Sequence, residues 1–221
     1  MTHRTPVADR LGHRATPSAA AGIGAPPTHP EISVVITVRD LEDQIGHQVR
    51  AIAAHLQSLG RTFEVVAVND GCRDNSLSIL ELVAASEPWP ARTPTPALWP
   101  WLRVVRGNAA GRAFLRGAAE ARGATLLLIA GGRQPSLAPL GWALSRLAAG
   151  REAVILRGRY IVARRLLALP IIVKATGPSL LFERIFERRA QDLGIDVVGS
   201  RPLARSPTSR LLAPLLRLLT A

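Results

Sequence analysis

The run Phe63-Glu64-Val65-Val66-Ala67-Val68-Asn69-Asp70-Gly71-Cys72-Arg73-Asp74-Asn75-Ser76 constrains this chain more than any other stretch. Its first half is apolar and rich in β-branched residues, which reads as a strand buried on both faces of a parallel sheet. Asn69-Asp70-Gly71 then makes a polar turn. A helix-like segment follows from Leu77 to Ala85, with Asp74 or Asn75 as its N-cap. In open α/β sheets ligands sit just beyond the C-terminal ends of the strands, so Asn69 and Asp70 stand where a ligand is expected.

The same unit recurs along the chain. Strands are predicted at Ile32 to Val38, Leu102 to Arg106, Thr125 to Ile129 and Ala153 to Leu156, and helices at about Asp43 to Leu59, Arg112 to Arg122 and Leu137 to Ala149. Gly123 is expected to close the third helix as a left-handed cap. Five strand–helix alternations give an α/β fold with a mainly parallel, twisted sheet and helices on both faces. Beyond Leu156 the alternation loosens: Ile161 to Val173 is apolar around a basic cluster at Arg164 and Arg165. A helix from Pro178 to Leu193 and a last strand from Ile195 to Val198 follow.

Three segments stand outside this pattern. Residues 1–30, rich in Thr, His, Arg, Ala and Pro, read as a disordered tail rather than a secretory or transit signal. Residues 87–101 interleave five prolines with Trp89, Trp99 and Trp101, which reads as an extended loop pinned to the domain by its tryptophans, the other reading being a recognition patch. Residues 209–221 gather leucines with Arg210 and Arg217, as in an amphipathic C-terminal helix that lies at a membrane interface, on its own domain or on a second subunit, with Pro214 as a kink.

Charge is distributed unevenly. Residues 1–100 hold 8 Arg against 10 Asp and Glu, whereas residues 101–221 hold 20 Arg and Lys against 6 acids. So basic a second half attracts an anion: a phosphorylated substrate, acidic lipid or nucleic acid. Arginine outnumbers the single Lys174 in a chain also rich in Ala, Pro and Gly, a bias that GC-rich coding produces too. The lone Cys72 excludes an internal disulfide framework, and the scattered histidines, with His47 and His55 two turns apart, do not form the usual i, i+4 metal pair. No stretch reaches the ~20 apolar residues of a spanning helix, so a cytoplasmic protein is expected, with peripheral contact to the inner face of the membrane through its basic half. There is no Gly-x-Gly-x-x-Gly after the first strand and no Gly-x-x-x-x-Gly-Lys-Ser/Thr, which removes the usual dinucleotide and P-loop phosphate cradles.

Four pieces, in order, resemble one family. Ser33-Val34-Val35-Ile36-Thr37-Val38-Arg39-Asp40 is similar to the opening Ser-Val-Val-Ile-Pro-Val-Tyr-Asn of the family 2 glycosyltransferases of GT-A type, especially the dolichol- or polyprenyl-phosphate mannose synthase branch. Val68 to Ser76 resembles its Val-Asp-Asp-Gly-Ser-x-Asp-Gly-Ser. Asn108 to Gly123 resembles its Asn-x-Gly…Gly-x-x-x-Ala-x-Gly helix, with Gly117, Ala121 and Gly123 at the family spacing. Leu181 to Pro202, followed by Ser209-Arg210-Leu211-Leu212, resembles its late helix, strand and C-terminal helix. The resemblance covers about residues 31–219. It implies a Rossmann-like three-layer GT-A sandwich over 31–208 that binds a nucleotide-sugar donor, with Thr37, Arg39, Asp40, Asn69 and Asp70 at the base and ribose. An acceptor-only carboxylate such as Asp70 suits a base imino N–H, the alternative being that Asp70-Gly71 simply forms the turn.

The departures bear on chemistry. Where the family carries the Asp-x-Asp that holds a divalent metal against the donor diphosphate, this chain reads Ala130-Gly131-Gly132. Without side-chain oxygens a hard Mg²⁺ or Mn²⁺ loses its protein anchor, so no metal is expected. Arg133, Arg157 and Arg159 are the cations at hand for a diphosphate. The segment that supplies the family's general base falls between about Arg159 and Phe182, which contains no Asp or Glu. Three readings stay open: a degenerate, non-catalytic relative that keeps a nucleotide-sugar site and serves a partner or homo-oligomer; an active transferase acting on a lipid phosphate or polysaccharide; and, least favoured, an Arg-rich nucleic-acid binder.

Overall fold

A computed structural model of the chain describes residues 28–86, 99–106, 112–132, 136–174, 182–193 and 197–200. The expected C-terminal helix at 209–221, nearly all of the expected N-terminal tail, Trp89 and Arg133 lie outside the described residues.

Seven strands form one sheet: β1 (Ile32–Val38), β2 (Phe63–Asn69), β3 (Leu102–Val105), β4 (Thr125–Ile129), β5 (Ala153–Leu156), β6 (Tyr160–Arg164) and β7 (Val197–Ser200), in the order β3-β2-β1-β4-β6-β5-β7. β1 lies between β2 and β4 and is parallel to both, with Val38 opposite Asn69 and Ile36 opposite Ile129. Every residue of β1 is buried, as a strand covered on both faces requires.

Alternation along the strands divides the core into two layers. Ile32, Val34, Ile36 and Val38 face a cluster with α1 (Ile45–Ser58), α2 (Ser76–Ser86) and α4 (Leu140–Ala148). Val35, Val66, Leu126 and Leu128 face the other cluster, with α3 (Ala113–Glu120), α5 (Arg165–Lys174) and α6 (Phe182–Asp192). Trp99 and Trp101 are each 5% exposed, and Trp99 Nε1 donates to the Phe63 carbonyl at 3.0 Å, so both tryptophans are packed into the domain; residues 87–98 of the expected loop lie outside the described residues.

Two expectations need correcting. The undivided run from Ile161 splits into a strand and a helix. The three-residue loop Arg157-Gly158-Arg159, with Gly158 in the left-handed region, turns the chain back so that β6 runs antiparallel to both β4 and β5. Ile161 to Ala163 are buried there between two strands, a position whose apolar sequence has no period to reveal it. The third helix ends early, at extended Ala121, and Gly123 is no left-handed cap. Its small size serves a close approach instead: a Cβ there would meet the Ser33 backbone nitrogen at 2.6 Å.

Candidate functional site

The C-terminal ends of β1, β2 and β4 meet the tip of the β5–β6 hairpin along one edge of the sheet. Here Thr37, Arg39, Asp40, Asn69 and Asp70 come together. The register sets Asp70 beside the end of β1, where its N–H donates to the Val38 carbonyl at 2.8 Å, and its side chain lies in a residue only 6% exposed. Thr37 is buried, and its Oγ1 accepts from Gly131 N–H at 3.1 Å. Arg39 projects exposed from the strand end, followed by Asp40 in the left-handed region at φ 50, which Asp tolerates better than most residues.

Two turns clasp each other at this edge. Asp40 Oδ1 accepts from Arg73 N–H at 2.7 Å, Glu42 Oε2 from Asn75 N–H at 2.9 Å, and Asp74 Oδ2 from Glu42 N–H at 2.9 Å. Ser76 Oγ accepts from Leu41 N–H at 2.8 Å and itself donates to Asp74 Oδ1 at 2.5 Å. Asp74 thus serves the α2 start through an Asx turn, one residue ahead of Asn75. Burial alone would raise its pKa, but bonds from the Ser76 hydroxyl and from the Glu42 and Ser76 amides outweigh that and hold the carboxyl below its ordinary range.

Asn69 is likewise engaged within the turn. Its Oδ1 accepts from Gly71 and Cys72 N–H at 3.0 and 2.8 Å, and its Nδ2 donates to the Arg106 carbonyl at 3.1 Å. Burial pushes the Cys72 thiol pKa up, as do the nearby Asp74 and Asp40 charges, and the Sγ–H donates to the Val38 carbonyl at 3.1 Å. A protonated, hydrogen-bonded thiol is a structural group here, not a nucleophile.

The side chains of Asp40 and Asn69 therefore shape the floor. Thr37 braces the exit of β4.

That exit is where a divalent metal would be held in the GT-A pattern, and the residues present do not fit one. Ala130, Gly131 and Gly132 bring no side-chain oxygen. A Cβ on Gly131 would lie 1.9 Å from the Thr37 carbonyl oxygen, and Gly132 has φ 87, so the backbone favours glycine at both positions. Among the described residues no group of three or more His, Cys, Asp or Glu could hold a metal ion.

Of the arginines proposed for a diphosphate, Arg157 and Arg159 flank the hairpin tip. Arg157 pairs with Glu187, Gly158 N–H donates to Glu183 Oε2 at 2.7 Å, and Arg159 Nη1 donates to the Ser136 carbonyl at 3.2 Å. Strand order puts this tip roughly 10–15 Å from β1 along the edge, at ~4.8 Å per strand. The acids that follow the acid-free segment are thus tied to the hairpin. Tyr160, which the sequence did not single out, is 1% exposed, with its hydroxyl buried and unpartnered; burial raises its pKa, against a smaller pull from Arg159.

No protein-family model matches the chain. Mannosyl-3-phosphoglycerate synthase from Rubrobacter xylanophilus superposes with a TM-score of 0.56 over 85% of this chain and 72% of its own, at 16% identity. Glucosyl-3-phosphoglycerate synthase from Mycobacterium tuberculosis, solved with Mn²⁺, UDP and phosphoglyceric acid, gives 0.54 over 86% of this chain and 76% of its own, at 18% identity. The chain has a GT-A glycosyltransferase fold. In sequence, 53 residues are 43% identical to the undecaprenyl-phosphate 4-deoxy-4-formamido-L-arabinose transferase of Pseudomonas paraeruginosa, a match over 24% of this chain and 16% of that enzyme. This GT-A chain therefore aligns with only a small part of that transferase's length.

Proposed function

We propose that this GT-A domain is a nucleotide-sugar-binding scaffold impaired in metal-dependent sugar transfer. The observation that carries the reading is the Ala130-Gly131-Gly132 corner, which offers a diphosphate no metal ligand and allows no side chain at Gly131 without moving Thr37. Donor binding falls to the facing turns. The Asp70 carboxylate accepts from the base, Thr37 and Arg39 line the same edge, and Asp40 and Asn69 hold the turns in shape. Arg133, Arg157 and Arg159 balance diphosphate charge, Arg157 at the cost of its pairing with Glu187. A leaving nucleoside diphosphate needs its developing charge neutralised, and arginines do so without a metal's bridging geometry. Slow or absent transfer is the consequence.

Calorimetric titration with UDP, GDP, UDP-glucose and GDP-mannose, each with and without Mn²⁺, tests this. The expected result is binding indifferent to Mn²⁺ and weakened about tenfold by Asp70→Asn, the loss of roughly one charged hydrogen bond. Sugar transfer that requires Mn²⁺ and is abolished by Asp70→Ala would overturn it.

A further inference from the structure

The opposite edge of the sheet holds a second concavity. A cavity of about 700 Å³ opens where β1 and β4 begin and β6 ends, between the α3–β4 connection, α4 and the start of α5. Four of its lining residues are arginines: Arg61, Arg122, Arg164 and Arg165. They face one carboxylate, Glu31, which meets Arg61 at 3.6 Å with both side chains about half exposed. Arg164 Nη2 donates to the Leu147 carbonyl at 2.9 Å, and Arg165 Nε is buried with no hydrogen-bond partner. The floor is apolar, with Leu144 and Leu147 among its residues.

At the mouth of the groove α5 shows an outward apolar stripe. Leu166 lines the groove and is 84% exposed. Pro170 and Val173 follow at i+4 and i+7, Pro170 exposed and Val173 56% exposed, while Ala168, Leu169, Ile171 and Ile172 pack inward. A helix apolar on both faces and basic at both ends belongs at an interface rather than in free water.

We infer that this groove docks the chain on an anionic phospholipid surface, its arginines taking a lipid phosphate and the outer stripe of α5 entering the acyl boundary. Charge chooses the occupant. The chain's own terminal segments match the groove in sign: residues 1–27 carry Arg4, Arg10 and Arg14 against Asp9, and residues 201–221 carry four arginines and no acid. Nucleic acid satisfies the arginines but gives Leu166 and Val173 nothing to bury against. A phosphate carried on acyl chains satisfies both. The inference stands apart from the nucleotide reading, because no residue is shared between the two edges.

Flotation of the full chain with phosphatidylglycerol-containing or pure phosphatidylcholine vesicles tests it. The chain is expected to float with the anionic vesicles only. An arginine near an anionic surface is worth about a factor of five, so Arg61→Gln with Arg122→Gln lowers the partition coefficient on the order of 25-fold. Leu166→Glu lowers it further, whereas the control Arg188→Gln, on exposed α6 surface away from the groove, changes it by less than about twofold. Thermal melting establishes that each variant is folded. Groove variants that float like the parent would overturn the inference, as the basic termini would then be the anchor. So would equal flotation on neutral vesicles, release by soluble glycerol phosphate at matched headgroup concentration, or duplex DNA binding through the same arginines without vesicle binding.

Discussion

Glu64 is a carboxylate with 0% exposure in the middle of the sheet, and replacing it by Gln gives a sharp energetic test. Its Oε1 accepts from Ser33 Oγ–H and from Arg122 N–H, both at 2.7 Å, and its Oε2 meets Arg103 Nη2 at 3.2 Å. Ser33 Oγ in turn accepts from Gly123 N–H at 2.7 Å, so one side chain ties β1, β2, β3 and the α3–β4 connection together. In Glu64→Gln the amide oxygen can keep the Ser33 and Arg122 bonds, now neutral, while the NH₂ group faces the Arg103 guanidinium. Removing one partner of a buried pair costs about 3–5 kcal/mol. Arg103 is 19% exposed and retains Glu120 at 3.5 Å, which places the loss at the lower end, about 3 kcal/mol. For a domain of this size that lowers Tm by roughly 6–12 °C. Urea denaturation, with a cycle through Arg103→Met to isolate the coupling, supplies the measurement. A loss under about 0.5 kcal/mol would refute the network as a source of stability.

Gly131→Ala sets a Cβ against the Thr37 carbonyl at 1.9 Å and is expected to cost about 2 kcal/mol or more by displacing the β4 exit; an unchanged denaturation midpoint would contradict the close packing of that corner. Asp74 has a depressed carboxyl pKa in the folded chain, so its stabilisation is present above the ordinary carboxylate value of about 4 and is lost as pH falls through the lower folded value. Asp74→Asn should therefore reduce stability at pH 7 and flatten the acid limb of the stability–pH curve, read from urea midpoints across that range.

How much of this was legible follows from where the partners lie. The central strands and the helices between them were readable because β-branched runs and 3.6-residue periodicity are local. β6 was not, since Ile161 to Ala163 are followed, past only Arg164 and Arg165, by an equally apolar helix, and only the tight Arg157–Arg159 turn separates them from β5. The Glu64 network was invisible for a related reason: its partners Ser33, Arg103 and Arg122 lie 31, 39 and 58 residues away. At the candidate site, Thr37, Arg39, Asp40, Asn69 and Asp70, grouped from their sequence pattern, lie along one edge. Residue type alone did not reveal that Asp40 and Asn69 are used within the turns, because the residue types that meet a ligand's polar groups also build Asx turns. The contacts, Asp40 on Arg73 N–H and Asn69 on Gly71 and Cys72 N–H, show those two side chains building the turns.

The same contacts bear on whether metal chemistry could be returned to this corner by side-chain replacement. Asp at 130 and 132 would recreate the Asp-x-Asp spacing. However, position 132 has φ 87, which costs a non-glycine residue roughly 1–3 kcal/mol. Relaxing that strain means rotating the backbone at residue 131, whose N–H is bonded to Thr37 Oγ1 and where a Cβ would meet the Thr37 carbonyl oxygen. Thr37 belongs to β1, the most fully paired strand of the sheet. Glycine at 131 and 132 is therefore part of how β4 leaves β1. On the proposed reading, regaining a metal would require the β4 exit to be rebuilt, not merely two side chains to be replaced.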